Sequence, residues 1–167
     1  ERPLQHWDRT VSSPMNTASH EDLMNVALRV AERAAAEGEV PIGAVAVDSS
    51  GRILGRAHNQ VEMLKDATAH AEMIVLTQAA AAICDWRLND VTLYVTKEPC
   101  PMCAGAMVNA RLGHLVYGCK DANYGAAGSR LNLLDFAGTL HKVEAAAGIC
   151  SDRCAAVIQR FFQERRR

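Results

Sequence analysis

The feature that most constrains how this chain can fold is a pair of short motifs, Thr68-Ala69-His70-Ala71-Glu72 and Glu98-Pro99-Cys100-Pro101-Met102-Cys103. His70, Cys100 and Cys103 supply one imidazole and two thiolates, a donor set for zinc that leaves one coordination position open. Zinc is held this way for catalysis, whereas a structural zinc has all four positions filled by protein. Any fold open to the chain must therefore carry His70 to a cysteine pair that lies far along the sequence. Glu72 is the carboxylate left over, two residues from the imidazole. There it can handle protons on a water whose pKa zinc lowers from about 15.7 to about 7.

Local chemistry says where such motifs sit. Thiolates are favoured at helix N-termini. Pro99 fits just before a helix start, and Cys100 and Cys103 at i and i+3 then share one face of its first turn. His70 and Glu72 would diverge in mid-helix and converge more easily where the chain enters a helix, with Asp66 or Thr68 expected as the cap. A lone Cys-x-x-Cys could be redox-active or structural. A purely stabilising zinc would draw its fourth ligand from Cys84, Cys119 or another histidine, and would leave Glu72 without a role.

Around these motifs, strands alternate with helices, which predicts an α/β layered domain. Ser19, with Asp22 three residues on, reads as a helix start. Leu23, Val26, Ala27, Val30, Ala31 and Ala34 form a helical stripe that Gly38 ends. Residues 42–47 and 52–57 read as a hairpin about the turn 48–51, and residues 59–67 as a loop into the His-x-Glu helix. Residues 91–96 are apolar enough for a central strand that delivers the cysteines to a helix over 102–110. Residues 115–117 and 142–145 read as further strands, and Ser151 as the cap of a final helix. Residues 1–19 lack apolar periodicity and read as a flexible extension, with Met15 a candidate start; residues 20–167 read as a single domain.

Net charge is −1, so any nucleic-acid partner must be held by a local patch. No apolar run approaches about 18 residues, so no membrane-spanning helix is expected. The absence of an apolar signal core speaks for a cytoplasmic protein. Six cysteines, two of them in the metal motif, fit a reducing compartment, with Cys150 and Cys154 read as buried thiols.

The paired motifs match the signature of zinc nucleobase deaminases. Their flanks are more particular. Residues 39–45, Asn59, residues 66–72, 92–96 and 98–107, and the stretch from Asp121 through Gly125-Ala126-Ala127-Gly128-Ser129 resemble the bacterial tRNA-specific adenosine deaminases over residues 20–165. The resemblance implies a cytidine-deaminase-like three-layer α/β/α domain with a central mixed sheet of about five strands. It implies a homodimer acting on a tRNA anticodon stem-loop, with one zinc per subunit, converting the wobble adenosine to inosine. It assigns zinc to His70, Cys100 and Cys103, and proton transfer to Glu72. The flipped base falls to Asn59 and the Ala71 backbone, the loop nucleotides to Asp121, and flanking RNA to Phe161, Phe162, Arg165 and Arg166.

Each of the latter residues also has an ordinary reading. Asn59 is a common turn residue, Asp121 a solvated loop charge and the terminal arginines a solubilising tail. Phe161 and Phe162 point about 100° apart on a helix, so one is expected in the core and the other free to stack on a base. Three positions depart from the family pattern: Ala67 stands for a proline, Lys97 for an apolar residue and Asn123 for a lysine. Competing functions are a free-nucleobase or nucleotide deaminase, with guanine the leading substrate, and a non-catalytic zinc-supported RNA-binding module, which would have no need of Glu72.

Overall fold

The computed structural model describes residues 19–167, so the expected extension and the candidate start at Met15 lie outside the described residues, Ser19 excepted. Ser19 caps α1 (His20–Ala36) through a reciprocal capping box with Asp22, as its spacing predicts. The hairpin follows as β1 (Gly43–Val47) and β2 (Ile53–His58), antiparallel with an irregularity at Ala46/Val47. The segment expected as a loop contains a short helix, α2 (Val61–Leu64), ended by Lys65 in the left-handed conformation at φ 52°. Then come α3 (Ala71–Ile83), β3 (Thr92–Lys97), α4 (Pro101–Asn109), β4 (His114–Cys119), β5 (Glu144–Ala147) and α5 (Ser151–Arg165).

The strands form one five-stranded mixed sheet in the order β2-β1-β3-β4-β5. β1 is antiparallel to β2 and β3, whereas β3, β4 and β5 run parallel. β3 is central, as its apolar run requires, and its neighbours cover it on both edges.

Strand alternation sorts the core into two sides of the sheet. Val45, Val47, Tyr94 and Val116 pack with Leu23, Met24, Ala27 and Leu28 of α1 and with Cys154 and Val157 of α5. Ala44, Ala46, Leu93, Val95 and Leu115 pack with Val75, Leu76 and Ala79 of α3 and with Met107 and Val108 of α4. The result is the expected three-layer α/β/α arrangement.

Two helix starts differ from their local signals. His70, rather than Asp66 or Thr68, is the N-cap of α3; Asp66 instead accepts from the Thr68 N–H and hydroxyl in a turn of its own. Cys150, with φ 54°, is the N-cap of α5, and Ser151 is its first helical residue. In both cases the residue at the N-cap makes no side-chain capping bond, and the expected hydroxyl or carboxylate is passed over.

The layers approach closely where side chains vanish. A Cβ on Gly43 would lie 2.0 Å from the Ala27 carbonyl oxygen and 2.6 Å from the Ala31 nitrogen, both backbone atoms of α1. Gly43→Ala is therefore expected to push α1 off the sheet and to cost at least about 1–3 kcal/mol, read as a lower denaturant midpoint in equilibrium unfolding.

Candidate active site

Three chain segments end at one place. β2 delivers His58 and Asn59, β3 runs through Lys97 into Glu98-Pro99-Cys100, and α3 begins at His70. Cys100 is the N-cap of α4 and Pro101 its first residue, the position at which proline's missing N–H costs no helical bond. Cys103 follows in the same first turn and is fully buried. The positive ends of α3 and α4 thus converge on the group of ligands, which favours anionic sulfur and carboxylate there.

Nδ1 of His70 lies 3.6 Å from Sγ of Cys100 and 3.4 Å from Sγ of Cys103. All three donor atoms are within 4.8 Å of one another. A tetrahedral zinc with N and S bonds of about 2.0 and 2.3 Å sets N···S separations of about 3.5 Å, so the donors fit that ion in both type and spacing. Sharing of the Cys103 thiol proton and the nearby His70 ring hold Cys100 as thiolate, at about 4, against the burial that opposes it. The same sharing, together with burial, pushes Cys103 up, and the bond to Cys100 raises His70 despite burial.

Glu72 is 3% exposed, and its Oε2 is a buried oxygen without a hydrogen-bond partner among the described residues. Burial pushes its carboxyl up to about 7. A buried carboxylate oxygen left unpaired is costly. Glu72 is one of the residues lining a cavity of about 240 Å³, with Glu39, Asn59, His70, Ala71 and Arg165. Asn59 is buried and makes its protein hydrogen bonds through its backbone, with its N–H to the Ile42 carbonyl and its carbonyl accepting from Nδ1 of His58. Its side-chain amide remains for the cavity. Arg165 reaches in from α5, donating to the Gly38 carbonyl and stacking over Phe161 at 4.4 Å.

The expected site residues divide accordingly. His70, Cys100 and Cys103 meet; Glu72, Ala71, Asn59 and Arg165 line the cavity beside them. Phe161 is buried in the core and Phe162, edge-on to it at 5.3 Å, is 43% exposed. Arg166 is exposed at the end of α5. Neither phenylalanine lines the cavity, nor does Asp121. Asp121 lies on an adjoining loop, with Oδ2 3.0 Å from Nζ of Lys97 and Oδ1 accepting from the Asn123 and Tyr124 N–H groups.

That loop hangs on Glu98, which sequence reasoning left as a motif residue without a role. Glu98 is 3% exposed and accepts from the N–H groups of Asp121, Ala127 and Ser129 and from the Ser129 hydroxyl. Beside it, the Pro99 carbonyl accepts from the Ala126 N–H, so the loop is stitched to the turn that carries Cys100. Gly125 is obligatory here, because a Cβ would stand 2.2 Å from Glu98 Oε2. Glu39 was missed too, since no local rule gives a role to a carboxylate just past a helix end. The one available signal for Glu98 was an acidic residue at the mouth of an apolar strand.

Burial works against the Asp121 charge, but Lys97 and the Tyr124 and Asn123 amides outweigh it and hold the carboxyl below its ordinary 3.8. A group depressed on folding stabilises the native state above its unfolded pKa, and the contribution is lost as pH falls through the folded value. The stability gap between the wild type and Asp121→Asn is therefore expected to narrow as the pH of urea unfolding is lowered from about 6 to about 3.

Comparison with known proteins agrees with this geometry. The family model described as MafB19-like deaminase matches residues 18–166. The tRNA-specific adenosine deaminase of Haemophilus influenzae is 43% identical over 146 residues, covering 87% of this chain and 84% of that protein. The tRNA-specific adenosine deaminase of Bacillus subtilis is 44% identical over 144 residues, covering 86% and 89%. A solved structure from work on A-to-I editing by tRNA:A34 deaminases superposes with a TM-score of 0.77 at 38% identity, covering 81% of this chain and 97% of that one.

Proposed function

Because the chain belongs to the MafB19-like deaminases and, within them, to the tRNA-specific adenosine deaminase family, we propose that it hydrolyses the wobble adenosine of a tRNA anticodon loop to inosine. The observation that carries this reading is Glu72: a buried carboxyl, one oxygen of which has no partner among the described residues, lining a base-sized cavity beside the His70–Cys100–Cys103 donor set.

His70, Cys100 and Cys103 would hold one zinc per subunit. When bound, the ion supplies Lewis-acid activation of water. The chain's own residues do the rest. Glu72 accepts a proton from the attacking water and passes it to ring nitrogen 1 of adenine as oxygen adds to carbon 6. A second transfer through the same carboxyl protonates the exocyclic amino group, which leaves as ammonia; adenosine and water become inosine and ammonia. A carboxyl held near 7 can run both transfers at neutral pH. The Asn59 amide offers a donor and an acceptor to the base edge. The Ala71 N–H, in the first turn of α3, has no intrahelical carbonyl to satisfy it and is free for the substrate. Unstacking the base costs a few kcal/mol, least in a single-stranded loop, which favours an anticodon loop over a duplex.

Arg165 at the pocket, with Arg166 and the exposed Phe162 on the same helix, supplies cation and aromatic contacts for flanking RNA. Asp121, on the adjoining loop, would contact the anticodon-loop nucleotides. The homodimer fits the outer layer: α3 and α4 are predominantly apolar, and Met73, Ile74, Ala80, Met102 and Ala106 stay only partly buried. A second copy would cover them. No helix among the described residues is long and apolar enough to cross a membrane, and a tRNA substrate is compatible with a cytoplasmic enzyme.

An anticodon stem-loop with adenosine at the wobble position is expected to yield inosine, with free adenosine, guanine and cytidine inert beside it. Glu72→Ala should lower kcat by at least about 10²-fold while metal content stays unchanged. Guanine turnover with an untouched stem-loop would replace the substrate assignment; a fully active Glu72→Ala would end the catalytic one.

Stripping the metal with a chelator should abolish turnover and lower the thermal midpoint, and one equivalent of zinc per chain should restore both. Metal analysis of the native protein and sedimentation of the restored protein check the stoichiometry and the dimer.

A further inference from the structure

One wall of the pocket has no core of its own. α2 is four residues long and none of its side chains is buried. A helix this short is not stable by itself. Its N-cap residue, Gln60, makes no side-chain capping bond. The two amides that a local cap would satisfy, those of Glu62 and Met63, donate instead to a residue far away in sequence. Glu62 N–H reaches Oε2 of Glu39 at 3.1 Å, and Met63 N–H reaches Oε1 at 2.6 Å. Glu39 is 1% exposed, and its own N–H is tied to the Ala34 carbonyl at 2.9 Å. The carboxylate is therefore held in place by α1, and both of its oxygens are engaged on α2. Val61 and Glu62 of α2 line the same cavity as His70 and Glu72.

The turn that carries Glu39 touches the other walls as well. Oε2 of Glu37 lies 3.3 Å from Nε2 of His58, whose Nδ1 donates to the Asn59 carbonyl at 2.9 Å. The Gly38 carbonyl accepts from Arg165. Three successive residues beyond α1 thus each hold a different side of the cavity, and only α2 depends on its tie for capping.

We propose that Glu39 is a positioning residue for the deamination: its buried carboxylate serves as the missing N-cap of α2 and so fixes that helix as a wall of the base pocket before substrate arrives. The proposal rests on the deaminase reading. Glu39 acts through α2 and takes no part in proton transfer. Without its carboxylate two amides lose their acceptors and α2 frays, so substrate binding must order the wall itself. That cost falls on KM, because Glu72 and the metal ligands sit on α3 and α4 and do not move with α2.

Glu39→Gln keeps the side chain's size but leaves a single acceptor oxygen. Amide hydrogen exchange at Glu62 and Met63 should then speed up by at least about tenfold, with α3 and α4 unchanged. KM for the stem-loop should rise about tenfold, with kcat within about threefold and zinc content intact. Adding Gln60→Asp supplies a local cap and should restore both exchange and KM. Unchanged exchange, unchanged KM despite a frayed α2, or a fall in kcat at constant KM would each overturn the proposal. Failure of the wild type to turn over the stem-loop would sink the deaminase reading instead, and exchange at Glu62 and Met63 would still decide whether Glu39 holds α2.

Discussion

Everything at the site depends on two helices starting at the same point in space. α3 opens at His70 and α4 at Cys100, so their unpaired N–H groups and positive ends face one small volume. That field makes it tolerable to bury two sulfurs, an imidazole and a carboxylate together. Without it, Glu72 and the thiolates would be isolated charges in an apolar interior, each costing several kcal/mol. The parallel pairing of β3 with β4 sets up the geometry: α4 is the crossover between them, so its start lies at the carboxyl end of the central strand.

The irregular chain around that point is held by buried carboxylates accepting from backbone amides. Glu98 gathers the loop from Asp121 to Ser129, and Glu39 gathers α2. In both cases the acceptor comes from one element and the donors from another, so each carboxylate fastens a segment with few core contacts to a rigid strand or helix. Bonds of this kind to a charged acceptor are stronger than neutral ones. The cavity keeps its shape through such fastenings more than through apolar packing, which lies deeper, on the two faces of the sheet.

The departures from the family pattern take on meaning in this setting. Lys97 leaves β3 next to Glu98 and pairs with Asp121, so a position expected to be apolar supplies a counter-charge to the adjoining loop. Asn123 contributes its backbone N–H to the same carboxylate, a bond that any side chain there would leave available. Ala67 is exposed in the turn that Asp66 closes through Thr68, so that turn keeps its form without the rigidity of a proline.

The sequence by itself determined the His70–Cys100–Cys103 group, the Glu72 carboxylate beside it and the layered fold. These follow from residue type, spacing and period: His-x-Glu and Pro-Cys-x-x-Cys name their own chemistry, and the Leu23-to-Ala34 stripe and the 91–96 run name their own elements. Helix starts were less legible, because His70 and Cys150 stand at the N-cap without a side-chain capping bond, and Asp66 is bonded to Thr68 instead. Tertiary structure alone decided that Phe161 is buried and Phe162 exposed, that Arg165 reaches the cavity, that Lys97 meets Asp121, and that Glu39 and Glu98 hold the walls. The physical reason is common to all of them: each depends on segments distant along the chain, where burial and the partner of a charge are set by how the layers pack and leave no trace in local pattern.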